Sequence, residues 1–305
     1  MFKTKPCSDF AASLIFVKHA LTMFCVLGCL AYAAKIQADL VQNTCNRIAN
    51  KLASVRFGEC MERQLSESGG LSSLQTPLLI KEYPPLEQRS PQARILMLGG
   101  IHGDEYSSIT IMFKWMAVLD KYHSGLFHWK VAPLVNPDGL LQQKSQRMNA
   151  NGVDLNRNFP NGEHKQASLE YWEKRTRKDP RRYPGLEPMS ETETRWMHDL
   201  INEFKPDAIV AVHAPYGIVD FDGPPKPPTH LGPLHLHLLG TYPGSLGNYA
   251  GKHLNIPVVT VELPYAGIMP SDQEISRIWM DLVAWLRQHI PYQLELETAQ
   301  GGLPH

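Results

Sequence analysis

Ile95–Ser108 reads ILMLGGIHGDEYSS. Four apolar residues run into two glycines, and His102 and Glu105 then stand three apart around Gly103. A short unbroken apolar run fits a strand buried on both faces, and the glycines after it fit a sharp turn. A turn needs neither an imidazole nor a carboxylate, and both groups are good zinc ligands. On this reading Gly99 and Gly100 bring the chain off the strand, and Gly103 leaves room between the two side chains.

Outward from this stretch, strand-like and helix-like segments alternate. PLLIKEY (77–83) reads as the first strand of the main domain, Ser108–Leu119 as a helix, and HWKVAPLV (128–135) as a strand ending in the turn chemistry of NPDG. Ser190 with Glu193 predicts a capping box for a helix that carries Trp196, Met197, Leu200, Ile201 and Phe204 on one face. DAIVAVHAP (207–215) and IPVVTVELP (256–264) read as further strands. Ser271 with Glu274 predicts a second capping box, opening a last helix through Ile275, Ile278, Trp279, Leu282, Val283 and Leu286. The alternation predicts an α/β fold with a mixed, largely parallel central sheet flanked by helices. GPPKPPTHLGP (223–233) is a loop by its prolines, and no internal repeat is present.

With 305 residues, 43% of them hydrophobic, the chain has ample material for a large core. Thirty basic residues balance thirty acidic ones without a basic run, which excludes the electrostatic footprint of a nucleic-acid binder. Lys3, Lys5 and Lys18 precede an apolar run, Ala20–Ala34, that is short for a bilayer span. Residues 1–33 therefore read as a secretory signal, Ala31 and Ala33 fitting a cleavage site just before Ala34, with a membrane anchor as the alternative. VLGC, ending at Cys29, loosely resembles a lipoprotein box, although Leu27 fits it poorly. Cleavage removes Cys7, Cys25 and Cys29 and leaves Cys45 and Cys60, either as one disulfide or as two free thiols. From Val41 to Leu65 the spacing is helical, and SESGGLSS (66–73) breaks it. Residues 34–75 are thus expected to form a helical appendage and linker, 76–295 the main domain and 296–305 a flexible tail.

In open α/β sheets the functional groups gather at the carboxyl edges of strands. His213 ends one strand and Glu262 ends another, so both are expected near His102 and Glu105. Two histidines and one glutamate leave a fourth zinc position open, the catalytic arrangement.

HGDE at 102–105, NPDG at 136–139, RMNANGVDLNRNFP from Arg147 to Pro160, His213 and the Glu262 of TVELP resemble, in order and rough spacing, the zinc carboxypeptidases related to carboxypeptidase A. The resemblance runs from Pro77 to Ile290. It implies one zinc ion on His102, Glu105 and His213, and a general base at Glu262 that takes a proton from the attacking water. It implies that Arg147 stabilises the oxyanion, and that Asn156 and Arg157 grip the free carboxylate of a peptide substrate. The family also closes a loop tyrosine over its substrate, and GTYPGSLGNYAG (240–251) offers Tyr242, the favoured one, and Tyr249. His230, His235 and His237 read as a solvated segment rather than a second metal site, because no acid or cysteine accompanies them at ligand spacing.

With only a short appendage, the chain most resembles the compact bacterial branch that includes murein peptide amidases. Those cleave the γ-D-glutamyl bond to meso-diaminopimelate in cell-wall peptides, a substrate that a periplasmic or secreted protein meets. Asp220 and Asp222, shortly after His213, either pair with the distal ammonium of diaminopimelate or cap the loop. Other readings stay open at this point: a general carboxypeptidase on protein C-termini, an N-acyl amino acid deacylase of the aspartoacylase kind, and a zinc-bearing binding protein without chemistry. NPDG argues against the deacylase, and Glu262 argues against the silent scaffold.

Overall fold

The computed structural model describes residues 35, 37–87 and 90–290. The signal or anchor read at 1–33 and the tail read at 296–305 lie outside the described residues. Among those described, no helix is long and apolar enough to cross a membrane.

Strand β3 (Ala93–Leu98) lies at the centre of the sheet. Its side chains alternate between two cores: Ile95 and Met97 enter one, Leu96 and Leu98 the other, all fully buried. A strand covered on both faces needs apolar residues at every position, which is why ILML has no polar alternation. Parallel neighbours flank it: β4 (Phe127–Ala132) on one side, and β5 (Ala208–His213) then β9 (Val258–Glu262) on the other. Outside β4 lie β2 (Pro77–Tyr83) and β1 (Ser66–Leu71), both antiparallel to their neighbours. Outside β9 lie β6 (Ile218–Asp222), antiparallel, then β8 (Leu234–Leu236) and β7 (His230–Leu231).

The nine strands thus run in the order β1-β2-β4-β3-β5-β9-β6-β8-β7. The mixed sheet matches the expectation, with a qualification. Its four central strands are parallel, whereas the outer pairs are antiparallel except β6 with β8.

Helix α3 (Tyr106–Tyr122) and helix α7 (Asp272–His289) cover one face of the sheet, together with α1 (37–51) and α2 (Phe57–Glu62). On the other face α6 (Thr192–Phe204) buries Met197, Leu200, Ile201 and Phe204, the stripe read from the sequence. Ser271 caps α7 as expected, accepting from Glu274 N at 3.3 Å while Glu274 Oε2 accepts from Ser271 N at 2.8 Å.

Three local expectations are corrected. Ser190 and Glu193 form no capping box: Glu191 precedes α6, and the buried Glu193 carboxylate instead accepts from the backbone N and hydroxyl of Ser73 at 3.0 and 3.1 Å. A tertiary partner takes the acid that the local motif claims. SESGGLSS is not a linker, because Ser66–Leu71 is the edge strand β1, where Gly70 lies against the Trp196 ring too closely to admit a side chain. NPDG opens the short helix α4 (Pro137–Leu141), with Asn136 capping it by accepting from Gly139 N at 2.8 Å.

The helical reading of Val41–Leu65 resolves into α1 and α2, and the pair left open between them is a disulfide. Cys45 and Cys60, both buried, are bonded with their Cα atoms 5.6 Å apart. Val41, Ile48, Leu52 and Val55 join the same core as the sheet, so the bridge fastens the α1–α2 unit where it covers that core. A loop of this size contributes about 3 kcal/mol through the unfolded chain. Replacing both cysteines by alanine is expected to lower the thermal midpoint by calorimetry and to remove its sensitivity to reductant. Coincident melting curves for the two forms would contradict the role.

Candidate active site

The loop leaving β3 is positioned by the NPDG segment. Asn136 Nδ2 donates to Ile101 O at 3.3 Å and to Arg147 O at 3.1 Å, so one side chain joins the HGDE loop to the segment carrying Arg147. Gly103 faces that helix rather than the space between the ligands. A Cβ there would collide with the backbone of Gly139 and Leu140, so it is close backbone approach that requires glycine.

His102, Glu105 and His213 converge. His102 Nδ1 lies 2.8 Å from Glu105 Oε1 and 3.1 Å from His213 Nδ1, which is 3.0 Å from Glu105 Oε2. All three are buried, and among the described residues they are the one grouping of three such side chains able to hold a metal ion. Ligands about 2.0–2.1 Å from a tetrahedral zinc stand about 3.3 Å apart, so the spacing fits. Ala214 N, next to His213, donates to Glu105 Oε2 at 3.2 Å and helps to aim the carboxylate.

Asp154 does the same for His102. Its Oδ1 lies 3.1 Å from Nε2, which places the ring proton there and turns the Nδ1 lone pair toward the other ligands. Asp154 also accepts from Arg147 Nε and Nη2 at 3.0 and 2.9 Å, and from Asn156 N at 3.0 Å. Burial opposes its charge, but Arg147 and His102 overcome this and hold it well below the usual carboxylate range. Asp154 was missed in the sequence. Its signal is its place two residues before Asn156 in DLNRN, combined with the need of a buried histidine ligand for an outer carboxylate.

The floor of the site is one face of the sheet. His213 pairs with Glu262 across β5 and β9, and Asp220 pairs with Thr260 across β6 and β9. Side chains alternate along strands. His213, Glu262, Thr260, Asp220 and Asp222 therefore line a cavity of about 350 Å³, while Val219, Phe221, Val259 and Val261 enter the core behind it. Asp220 and Asp222 are thus strand residues facing the cavity, and Asp220 also caps the neighbouring loop, its Oδ1 accepting from Leu239 N at 3.0 Å. Glycines at 247 and 251 of the π-helical turn Gly247–His253 give Asp222 the room it occupies. Burial, and then the charge of Asp220, push the Asp222 carboxyl up to about 6.

Glu262 is buried, and its Oε2 has no hydrogen-bond partner among the described residues. Burial, and then the charge of Glu105, push it up to about 8. An orphaned carboxylate beside two lone pairs and a second carboxylate is a site built for a cation, and the donor set fits zinc with an open fourth position.

At the other wall, the 3-10 turn Leu155–Arg157 presents Asn156 and Arg157. Asn156 Oδ1 accepts from Leu246 N at 2.8 Å, and the Arg157 guanidinium lies 4.7 Å from the Tyr242 ring centroid. Tyr242 lines the cavity; Tyr249 does not, being buried and stacked on Phe159 at 5.5 Å. His230 and His235 face each other across β7 and β8 on the exposed edge. Arg181 and Arg182, at the mouth, were not singled out from the sequence.

A buried metal triad with an adjacent carboxylate and an arginine-lined cavity defines a metal-dependent hydrolase. Residues 68–219 match the family of zinc carboxypeptidases. The chain is 32% identical over 237 residues to murein peptide amidase A of Escherichia coli K12, a match covering 73% of this chain and 90% of that protein. It resembles the crystal structure of murein-tripeptide amidase from Escherichia coli O157, with 29% identity, a TM-score of 0.50, and 72% of this chain and 90% of that one covered. It shares its fold with carboxypeptidase A of Helicoverpa armigera, at 17% identity and a TM-score of 0.54, covering 73% of this chain and 67% of that one. The chain belongs to the zinc carboxypeptidase family and is an enzyme of the metallopeptidase or amidase kind.

After dialysis, zinc measured by atomic emission is expected near one ion per chain in the wild type and near none in His213→Ala. Full retention by the variant would exclude the triad as the site.

Proposed function

We propose that the protein is a zinc-dependent amidase that cleaves beside a free carboxylate in murein peptides, releasing a terminal meso-diaminopimelate from γ-D-glutamate. The observation that carries this reading is the pairing, in one cavity, of Asn156 and Arg157 with the two acids Asp220 and Asp222. A terminal carboxylate meets the arginine fork, and a distal ammonium meets the acids. An ordinary apolar C-terminal side chain gives two carboxylates on the floor nothing to pair with. The similarity to murein peptide amidases over most of their length supports the same substrate.

His102, Glu105 and His213 would hold the zinc ion, which supplies Lewis acidity to the scissile carbonyl and makes a water acidic enough to attack near neutral pH. Glu262 takes the proton of the attacking water and delivers it to the leaving amine nitrogen. The positive charge of the ion would offset the burial and the Glu105 charge that raise the Glu262 carboxyl, and so favour its ionised, proton-accepting form. Arg147, locked to Asp154, faces the carbonyl oxygen and offsets the negative charge that develops there. Asn156 and Arg157 fix the carboxylate, and Tyr242 stacks against the arginine that does so.

The protein is proposed to act outside the cytoplasm. The Cys45–Cys60 disulfide suits an oxidising compartment, and the signal-like stretch at residues 1–33 would take it there. Retention of that stretch would make the enzyme membrane-anchored rather than periplasmic or secreted.

Incubated with L-Ala-γ-D-Glu-meso-diaminopimelate, the zinc-loaded protein is expected to release diaminopimelate by mass spectrometry, and Glu262→Gln to be slower by about a hundred- to ten-thousand-fold. No release by a wild type that holds zinc would refute the substrate. Cleavage of ordinary C-terminal peptides or of acylated amino acids would then point to the general carboxypeptidase or the deacylase.

Asp222 adds a pH dependence. It is charged above about 6 and attracts the ammonium; below that it is neutral and the attraction is lost. KM for this peptide is expected to rise as the pH falls through about 6, and Asp222→Asn is expected to remove that rise. An identical KM profile in the variant would rule Asp222 out as the ammonium partner.

A further inference from the structure

Four guanidiniums and six carboxylates line the cavity, and two of the guanidiniums have no part in the reading above. Arg147 is engaged by Asp154, and Arg157 serves the substrate carboxylate in the reading above. Two more guanidiniums reach the same cavity, Arg181 and Arg182 of the 3-10 turn Pro180–Arg182. Asp179 caps this turn by accepting from Arg181 N at 3.0 Å, so both side chains leave a fixed backbone. Arg181 Nη2 donates to Asp104 Oδ2 at 2.8 Å, which ties it to the loop between His102 and Glu105. Arg182 approaches Asp179 at 3.6 Å, too far for a hydrogen bond.

Burial disfavours the charge of Arg157; Asp154 opposes this, and the charges of Arg147 and Arg182 add to it. Arg181 spends one nitrogen on Asp104 and Arg182 makes no hydrogen bond to Asp179, so donors of both remain for an anion placed between them. With the released residue between Arg157 and the floor acids, the acyl part of the substrate extends from the metal triad toward solvent. There the side chains of Arg181 and Arg182 stand 56% and 43% exposed. A γ-linked glutamyl donor keeps its α-carboxylate free, three carbons removed from the attacked carbonyl, whereas a peptide α-linked through a neutral residue has no such group.

We propose that Arg181 and Arg182 form a second anion subsite at the mouth of the cavity, which selects γ-linked glutamyl substrates by their free α-carboxylate. The proposal rests on the murein-peptide reading and names what that reading leaves out: how the enzyme recognises the acyl side of the bond. Asp104, between the metal ligands, acquires a role as the anchor that keeps Arg181 turned toward the site.

The test compares kcat/KM of the zinc-loaded enzyme on L-Ala-γ-D-Glu-meso-diaminopimelate and on the same peptide with the glutamate α-carboxylate converted to an amide. Loss of a charge-assisted hydrogen-bonding partner predicts that the wild type prefers the acid by about ten- to a hundred-fold. In the Arg181→Gln/Arg182→Gln double variant that ratio is expected to collapse toward one, because the value for the acid falls. Both side chains are partly exposed, and unchanged zinc content and melting temperature verify that the variant is folded. Equal rates on the two peptides in the wild type, or an undiminished preference in the variant, overturn the subsite while leaving the murein reading intact. If the wild type cleaves neither peptide, the substrate reading fails and the subsite falls with it.

Discussion

One buried carboxylate sets the geometry on which the site depends. Asp154 is wholly inaccessible, and its two oxygens touch three things: a ring nitrogen of His102, the guanidinium of Arg147 and the amide of Asn156. A metal ligand, the group facing the oxyanion and the turn that grips the substrate carboxylate are thereby held in one arrangement. An isolated charge in such a place is very unfavourable. It is tolerated here because all three partners donate to it and Arg147 brings a full positive charge, so removing Arg147 would leave it without its counter-ion.

The sheet supplies the other half. His213 and Glu262 are side by side because β5 and β9 pair in register, and the acids of β6 follow on the same face two residues apart. The opposite face of these strands is core, packed under α7. Strand alternation thus separates chemistry from packing within single segments: IVDFD buries Val219 and Phe221 and sends Asp220 and Asp222 to the cavity. The reactive groups sit on rigid strand ends, and the groups that meet substrate come from the turns at 155–157 and 180–182 and the loop at Tyr242.

Much of this was legible in the sequence where local pattern and tertiary role agree. The doubly buried β3, the amphipathic α6 and the box at Ser271 each follow from spacing and capping, and the ligands follow from polar residues placed where strands end. The reading failed where a distant partner decided the outcome. Glu193 leaves its helix cap for Ser73, and Gly70 marks contact with Trp196 rather than a flexible break. Gly103 makes room for another backbone, not for the ligands. Asp154 was overlooked for the same reason: its place in DLNRN offers a carboxylate near the site, but only the fold shows that it reaches a histidine 52 positions earlier. The alternation in IVDFD, by contrast, was available and points directly to Asp220 and Asp222 as strand residues.

The most direct test of this arrangement is the zinc affinity of Asp154→Asn, read by competition with a chelator of known affinity at fixed pH. If the carboxylate fixes the tautomer and orientation of His102, affinity falls by about ten- to a hundred-fold while the fold is retained. An affinity equal to that of the wild type would show that His102 needs no such support, and that Asp154 does not organise the site.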